Sequence, residues 1–227
     1  MSSEERVTAS QARAIVSSEE RVSHPLFARF YIRTTSGRSA PGEEEHRRRL
    51  VTGLFGRVIE AGAGNGLNFP FYPATVEQVV AVEPEPLLRA AAVEAARTAS
   101  VPITVVDGVA GRLPAEDESF DAGVASLMLC SVRDQQRALA EFHRVIRPGG
   151  ELRFYEHVVA ERPGGRRLQR LADATLWPHV AGGCHLSRDT AAAIAGAGFV
   201  VERCERFLFS PGGIPRLPHI LGVARRP

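Results

Sequence analysis

The sequence predicts a doubly wound α/β domain, in which helices cover both faces of a mostly parallel sheet. Short apolar runs rich in β-branched residues recur from residue 57 onward, and stretches with helical periodicity alternate with them. These runs are continuously apolar, which is typical of strands buried on both faces of a parallel sheet. With 227 residues, 44% of them hydrophobic and 24% charged, the chain has the size and composition of one such globular unit.

The first fifty residues are predicted to form helices outside the sheet. The hexapeptide SSEERV occurs at 2–7 and again at 17–22, and each copy carries a Ser-x-x-Glu capping box that is typical of a helix start. Large apolar side chains follow at helical spacing within 24–32, and a further short helix is expected at 43–50. We expect a helical cap at 1–50 and the main domain at 51–227.

Seven strands are expected in the main domain. The last two are separated by Ser210-Pro211-Gly212-Gly213 and by no long helix, so we expect them to pair antiparallel. The predicted strands are 57–61, 78–83, 103–107, 121–127, 151–158, 199–204 and 219–225. The prediction is therefore a seven-stranded, mostly parallel sheet that closes with a C-terminal antiparallel hairpin.

Helical stripes fill most of the intervals between these strands. They lie at 88–99, at 139–146 before Pro148-Gly149-Gly150, and at 188–197. The segment 162–187 is expected to be an insert or lid, and Leu168, Leu171, Ala172 and Leu176 share one helical face in it. That face either packs on the domain or helps to line a pocket.

Charge and cysteine content weigh against several classes of protein. All 28 basic residues are Arg, the formal net charge is +2, and no basic surface interleaved with aromatic residues appears, so a nucleic-acid partner is not expected. The runs Arg47-Arg48-Arg49 and Arg166-Arg167 are interpreted as solvated helix faces. Three cysteines without a CxxC pair, a polar N-terminus and no long apolar run predict a cytoplasmic protein with no metal and no membrane span.

A glycine-rich turn after the first strand indicates a nucleoside-binding site. The strand runs into Glu60-Ala61-Gly62-Ala63-Gly64-Asn65-Gly66, and Leu67 stands where the third glycine of a dinucleotide motif would fall. Glu60 directly precedes the turn, where a carboxylate would lie near a ligand's ammonium group. Glu83 ends the second strand and is placed to accept hydrogen bonds from both hydroxyls of a ribose. These details favour S-adenosylmethionine (SAM) over a nicotinamide dinucleotide.

Four stretches in order resemble the class I SAM-dependent methyltransferases, which have a Rossmann-like fold: EAGAGNG, AVEPE, LPAEDESFDAGVASL and RVIRPGGELRF, within 57–158. The resemblance implies SAM as cofactor and S-adenosylhomocysteine as product. It implies a cofactor site formed by Glu60, Gly62, Gly64, Gly66, Asn68, Glu83, Pro84, Asp107, Gly108, Val109, Ser126 and Leu127. Many relatives carry Asp where this chain has Val109, so Asp107 or a backbone carbonyl would have to receive the adenine amine.

More narrowly, the chain resembles bacterial relatives of the mammalian thiol S-methyltransferases, through NFPFYP, LMLCSVRD, FYEHV, WPHVAGGCHLSRDT and PHILGVA. The apolar membrane anchor of the mammalian relatives does not appear. We expect a small apolar acceptor, for which this resemblance suggests a thiol, and a monomer or homodimer. Quinone or natural-product C-, N- or O-methylation, SAM binding without catalysis and a dehydrogenase are the alternatives.

The acceptor is expected beyond the carboxyl ends of the strands. His157, which ends the fifth strand, is the preferred general base or orienting group, and His185 is a second candidate. The acceptor pocket is predicted to be lined by Phe27, Phe30, Tyr31, Cys130 and Trp177. Cys130 is interpreted as a small apolar packing residue.

Overall fold

The computed structural model describes residues 25–35, 42–210 and 216–227. The strands in this part of the chain are β1 (Gly56–Ala61), β2 (Val76–Val82), β3 (Ile103–Val106), β4 (Phe120–Ser126), β5 (Ile146–His157), β6 (Val200–Phe209) and β7 (Leu217–Arg225). The helices are α1 (Pro25–Thr35), α2 (Glu43–Val51), α3 (Pro86–Ala96), α4 (Gln135–Val145), α5 (Pro163–Asp173), α6 (Trp177–Val180) and α7 (Thr190–Gly196), with a 3-10 turn at Phe69–Phe71. The hexapeptide repeats at 2–7 and 17–22 lie outside the described residues.

All seven strands form one sheet in the order β3-β2-β1-β4-β5-β7-β6. Strands β1 to β5 are parallel, while β7 runs antiparallel to both β5 and β6. The predicted fold class, including the closing hairpin, is therefore confirmed.

The strand order reverses at β1, which has β2 on one side and β4 on the other. Successive crossovers leave β1 in opposite directions, so a cleft opens beyond the carboxyl ends of β1 and β4. The residues that end β1, β2, β4 and β5 all border this end of the sheet. The fold thus brings together the regions from which the sequence predicted a cofactor and an acceptor site.

Helix α4, which connects β4 to β5, has a sequence that explains where it begins, which face it buries and where it ends. The Asp134 side chain caps the helix by accepting a hydrogen bond from the Arg137 backbone N–H (2.9 Å). Its apolar stripe, which includes Leu139 and Phe142, is fully buried against the sheet. The helix ends at Val145 with Ile146 already extended, and Pro148 follows two residues beyond, where it cannot continue the helix. Ile146, predicted as part of the helical stripe, instead begins β5.

The apolar face predicted within 162–187 is mostly not buried. Leu168, Leu171 and Leu176 are 69%, 63% and 68% exposed, so packing on the domain is wrong for these three side chains, and their lining of a pocket stays a prediction. Ala172 and Trp177, by contrast, pack against buried side chains next to β4. Among the described residues, no helix combines the length and apolar character needed to cross a bilayer.

Gly222 in β7 tests how tightly the closing hairpin is packed. A Cβ at this position would lie 2.2 Å from the Arg203 carbonyl oxygen and 2.4 Å from Cζ of Phe154. We expect Gly222→Ala to lower the free energy of unfolding by about 1–3 kcal/mol because the backbone must shift. Gly196→Ala is the matched control, since a Cβ there meets nothing within 4 Å. Guanidinium unfolding of both variants measures the difference, and equal stabilities would contradict the packing described.

Candidate functional site

The glycine turn after β1 is folded tightly against the neighbouring strands. The backbone N–H groups of Gly62 and Ala63 both donate to the Val82 carbonyl, at 2.8 and 3.2 Å. Gly62, Gly64 and Gly66 have φ values of +68°, +59° and +83°, a region that favours glycine. A Cβ on Gly62 would lie 2.7 Å from Cβ of Met128, so a side chain there would push away the loop that follows β4.

Glu83 links the ends of β1 and β2. One carboxylate oxygen accepts a hydrogen bond from the Gly64 N–H (2.8 Å), and the other accepts one from the Glu85 N–H (2.9 Å). The side chain is only 5% exposed. Burial raises the pKa of Glu83 to about 7, against the lowering effect of these two backbone donors. Glu83 is therefore a buried acceptor that titrates near neutral pH.

Glu60 lies beneath the turn, and both of its oxygens have partners within the protein. Asn68 donates from Nδ2 to one oxygen (2.6 Å), and the Tyr72 hydroxyl donates to the other (2.8 Å). Burial raises the pKa of Glu60, while these two hydrogen bonds and the charge of Arg47 act to lower it. A carboxylate has further lone pairs, so Glu60 retains acceptor capacity for a ligand.

Arg47 extends this polar network, although the sequence placed it on a solvated helix face. Its guanidinium is buried, with Nη1 donating to Oδ1 of Asn68 (2.9 Å) and to Oγ of Ser126 (3.2 Å), and Nη2 donating to Glu43 (2.5 Å). The interpretation as a solvated residue is wrong for Arg47. The local signal in the sequence for a buried Arg47 was its i,i+4 spacing from Glu43, together with its place on the same helix face as Leu50.

The predicted adenine-binding residues lie at the ends of β2 and β3. Asp107 is on the surface, where it forms an ion pair with Arg89 (3.0 Å). Arg89 also donates to the carbonyl oxygens of Glu83 and Pro84, at 2.8 and 2.9 Å. Gly108 is buried, and Val109 beside it is half-buried. The wall of the site in this region is thus apolar, with a carboxylate at its outer edge.

The loop after β4 is held in a strained conformation. Leu127 has φ +55°, which is unusual for a residue with a side chain, and its N–H donates to the Tyr155 carbonyl (2.7 Å). The next three backbone N–H groups, at 128–130, donate to the fully buried Glu156 carboxylate at 3.0, 2.8 and 3.0 Å. Burial raises the pKa of Glu156.

Helix α1 spans the opening of the cleft. Tyr31 lies 4.0 Å from the Cβ position of Gly64, and Asn65 donates from Nδ2 to the Thr35 hydroxyl (2.9 Å). Phe27 stacks on Tyr31 and lies 2.7 Å from the Cβ position of Gly182. The helix therefore contacts both the glycine turn and the 177–187 segment. Phe30, also predicted to line the pocket, is 65% exposed.

The side chains of Cys130, His157 and Cys184 meet beyond the carboxyl ends of β4 and β5, where the sequence predicts the acceptor; we call this region the acceptor end. Nδ1 of His157 lies 3.7 Å from Sγ of Cys130 and 3.5 Å from Sγ of Cys184. Both sulfurs are buried, and Trp177 packs against them. His185 is half-buried, and its backbone N–H donates to the Cys130 carbonyl (2.7 Å). From the sequence, Cys184 and the adjacent His185 could suggest a nucleophile pair or a metal site, and neither interpretation was favoured.

These residues fit a bound SAM molecule. The Cβ position of Gly64 meets only Tyr31, at 4.0 Å, so its open side provides a surface that a ligand can approach closely. Oδ1 of Asn65 is buried and has no hydrogen-bond partner among the described residues. Glu83 adds a buried acceptor at the end of the adjacent strand. Backbone, amide and carboxylate groups are thus available for the polar parts of the nucleoside.

Comparisons with known proteins agree with this geometry. A methyltransferase domain family matches residues 59–154. Thiol S-methyltransferase TMT1B of Mus musculus is 35% identical over 211 residues, covering 86% of this chain and 84% of that protein. Demethylmenaquinone methyltransferase of Renibacterium salmoninarum is 34% identical over 125 residues, covering 53% and 49%. The crystal structure of a SAM-dependent methyltransferase from Thermotoga maritima superposes with a TM-score of 0.63 at 22% identity, covering 89% and 99%.

Arg47→Met tests the buried network. Removing the guanidinium breaks its buried ion pair with Glu43 and its hydrogen bond to Asn68, so we expect a loss of about 3–5 kcal/mol in the free energy of unfolding. Arg48→Met is the control on the next, exposed position, where a change within about 0.5 kcal/mol is expected. Similar losses in both variants would contradict a structural role for Arg47.

Glu83 should make SAM binding depend on pH. Only the ionised carboxylate accepts hydrogen bonds from both ribose hydroxyls, so affinity should rise about tenfold from pH 6 to pH 8 as a group with pKa about 7 loses its proton. Calorimetry at both pH values should be repeated on Glu83→Gln, whose side chain does not titrate. Any pH dependence of SAM binding that remains in this variant comes from the ligand itself or from other groups. Glu83→Ala should weaken binding by about 1.5–3 kcal/mol at pH 8. An identical pH response in wild type and Glu83→Gln would discard the ribose assignment.

Proposed function

The chain belongs to the class I SAM-dependent methyltransferases, and we propose that it methylates a small, apolar thiol. Its cofactor is SAM. The observation that carries the proposal is the extent of the match to the thiol S-methyltransferase from mouse. That match covers 86% of this chain, so it extends well beyond the 59–154 methyltransferase domain into the segments around the acceptor end.

The chemistry at the acceptor end supports a thiol. The groups that meet there are two buried thiols, one imidazole and the indole of Trp177, together with the aromatic ring of Phe27 on the facing helix. An apolar, polarizable surface of this kind suits a soft sulfur acceptor better than a charged amine. A thiol has an ordinary pKa near 8.5, so it needs only mild assistance to lose its proton at neutral pH.

When bound, SAM supplies a methyl group on a positively charged sulfur that leaves readily as a thioether. The protein's task is then to orient the acceptor and to exclude water. We assign the cofactor to the glycine turn, Glu83 and the 107–109 segment, and the acceptor to the region bounded by His157. Helix α1 and the 162–187 insert would cover both. Between the two histidines near the acceptor, we favour His157 over His185 for orienting the thiol, because Nδ1 of His157 faces the two sulfurs.

Quinone methylation is the second candidate, because the demethylmenaquinone methyltransferase match is 34% identical. That match covers 53% of this chain and 49% of the relative, which is about the extent of the cofactor half shared by many acceptor classes. It therefore supports the cofactor more strongly than the acceptor.

An acceptor screen with methyl-labelled SAM tests the proposal. We expect label transfer to alkyl and aryl thiols at rates at least tenfold above those for phenols, amines and a demethylated quinone of similar size. The assay should be run with Glu83→Ala as the cofactor-deficient control. Turnover of the quinone with none of the thiols would move the assignment to the second candidate.

Phe27 tests whether α1 contributes to the acceptor site. Since its ring packs on the Gly182 turn, we expect Phe27→Ala to raise the KM for the thiol several-fold while leaving the Kd for SAM within twofold. Arg29→Ala, on an exposed position of the same helix, should change neither value. Equal effects of Phe27→Ala on both ligands would indicate that α1 acts on the domain as a whole.

A further inference from the structure

Three possible metal-ligand atoms lie close together in the side chains of Cys130, His157 and Cys184. Their two sulfurs and an imidazole nitrogen all lie within 4.8 Å of one another. Each residue comes from a different part of the fold: the loop after β4, the end of β5 and the turn after α6. Among the described residues, this is the only group of three or more His, Cys, Asp or Glu side chains with this spacing.

The two sulfur-to-nitrogen distances match the edges of a tetrahedral zinc site. Zinc binds thiolate sulfur at about 2.3 Å and imidazole nitrogen at about 2.0–2.1 Å, which places sulfur and nitrogen about 3.6 Å apart at a tetrahedral angle. The measured distances from Nδ1 of His157 are 3.7 Å to Cys130 and 3.5 Å to Cys184. A thiol–imidazole hydrogen bond would explain one such distance, whereas two sulfurs at the same nitrogen fit a shared ion better.

The surrounding backbone fixes the two cysteines in this arrangement. Gly183 has φ +88°, and a Cβ there would lie 2.9 Å from the Ser131 carbonyl oxygen, so glycine permits the turn to approach the β4 loop. The His185 N–H then bonds to the Cys130 carbonyl, which joins the two cysteine-bearing segments directly. Glu156 holds the Cys130 N–H from the other side (3.0 Å). Such outer contacts orient metal ligands before the ion binds.

We propose that Cys130, Cys184 and Nδ1 of His157 bind one Zn²⁺ ion and leave its fourth coordination position open. Two thiolates and a neutral imidazole are ligands that zinc prefers, and three protein ligands with one free position are typical of catalytic rather than structural zinc. Two thiolate charges also neutralise the ion, which suits the buried surroundings of the sulfurs.

The open position suits the sulfur of the acceptor, an extension that rests on the proposed thiol methylation. The acceptor thiol loses its proton to solvent on binding zinc, and the bound thiolate brings the net charge of the site to −1, opposite the sulfonium. Its sulfur then forms a bond to the methyl carbon, the bond from that carbon to the sulfonium sulfur breaks, and the electron pair stays on S-adenosylhomocysteine. The Cα atoms of Met128 and Cys130 are at most about 7 Å apart, because the two residues are separated by one residue. Cys130 therefore lies close to the glycine turn, since Cβ of Met128 borders Gly62.

Metal analysis of the full chain tests the site itself. After incubation with excess Zn²⁺ under reducing conditions and desalting, we expect about one zinc per chain in wild type and in Cys204→Ser, whose cysteine is exposed on β6. Cys130→Ser, Cys184→Ser and His157→Ala should each lose at least nine-tenths of it. SAM binding measured on the same samples verifies that each variant is folded. Metal-free wild type, a different metal at stoichiometric amount, or a Cys130–Cys184 disulfide in the reduced preparation would overturn the proposal.

Cobalt substitution tests the open position without any methyl transfer. Co²⁺ bound by Cys130 and Cys184 should give a sulfur-to-metal charge-transfer band, and an alkyl thiol added without SAM should shift and intensify it. The matching alcohol should leave the spectrum unchanged. A thiol-insensitive spectrum would overturn the substrate role. Zinc bound without thiol turnover would contradict the proposed function alone, and thiol turnover by protein that binds no zinc would contradict the metal site alone.

Discussion

The hydrogen bond between the Gly64 N–H and the Glu83 carboxylate joins the ends of β1 and β2, and the geometry of the cleft depends on it. The bond is 2.8 Å long and lies where the strand order reverses. Burying a carboxylate is costly, which the pKa of Glu83 near 7 reflects. Two backbone donors offset part of that cost. The protein thus keeps a strong acceptor at the rim of a largely apolar site, where a ligand hydroxyl can complete its hydrogen bonding.

Topology and the cofactor turn could be predicted from the sequence because both are encoded locally. Continuous apolar runs indicate buried parallel strands, and the spacing Gly62-x-Gly64-x-Gly66 together with Glu83 reports the turn and its acidic partner. The limits of local patterns appear at α2. Its sequence EEEHRRRLV looks fully solvated, yet Arg47 is buried because Ser126, 79 residues away, and Asn68 supply partners for its guanidinium. No window of the sequence contains that information.

The acceptor end was predicted less completely for the same reason. Cys130 and Cys184 each lie 27 residues from His157, so no short ligand motif appears in the chain. Their proximity follows from the pairing of β4 with β5, which aligns the carboxyl ends of these strands, and from the left-handed turn at Gly182-Gly183. The expectation of no metal relied on sequence spacing, and spacing carries no information about side chains that the strand order brings together.

The loop after β4 connects the two halves of the site. Leu127 holds a left-handed conformation that costs roughly 1 kcal/mol, and it persists because Glu156 accepts three consecutive backbone N–H groups beyond it. Within this one segment, Met128 packs against Gly62 of the cofactor turn and Cys130 faces His157. Because these hydrogen bonds fix the backbone of the loop, Met128 and Cys130 cannot easily move relative to one another. The spacing between the glycine turn and Cys130 is therefore fixed by the protein itself.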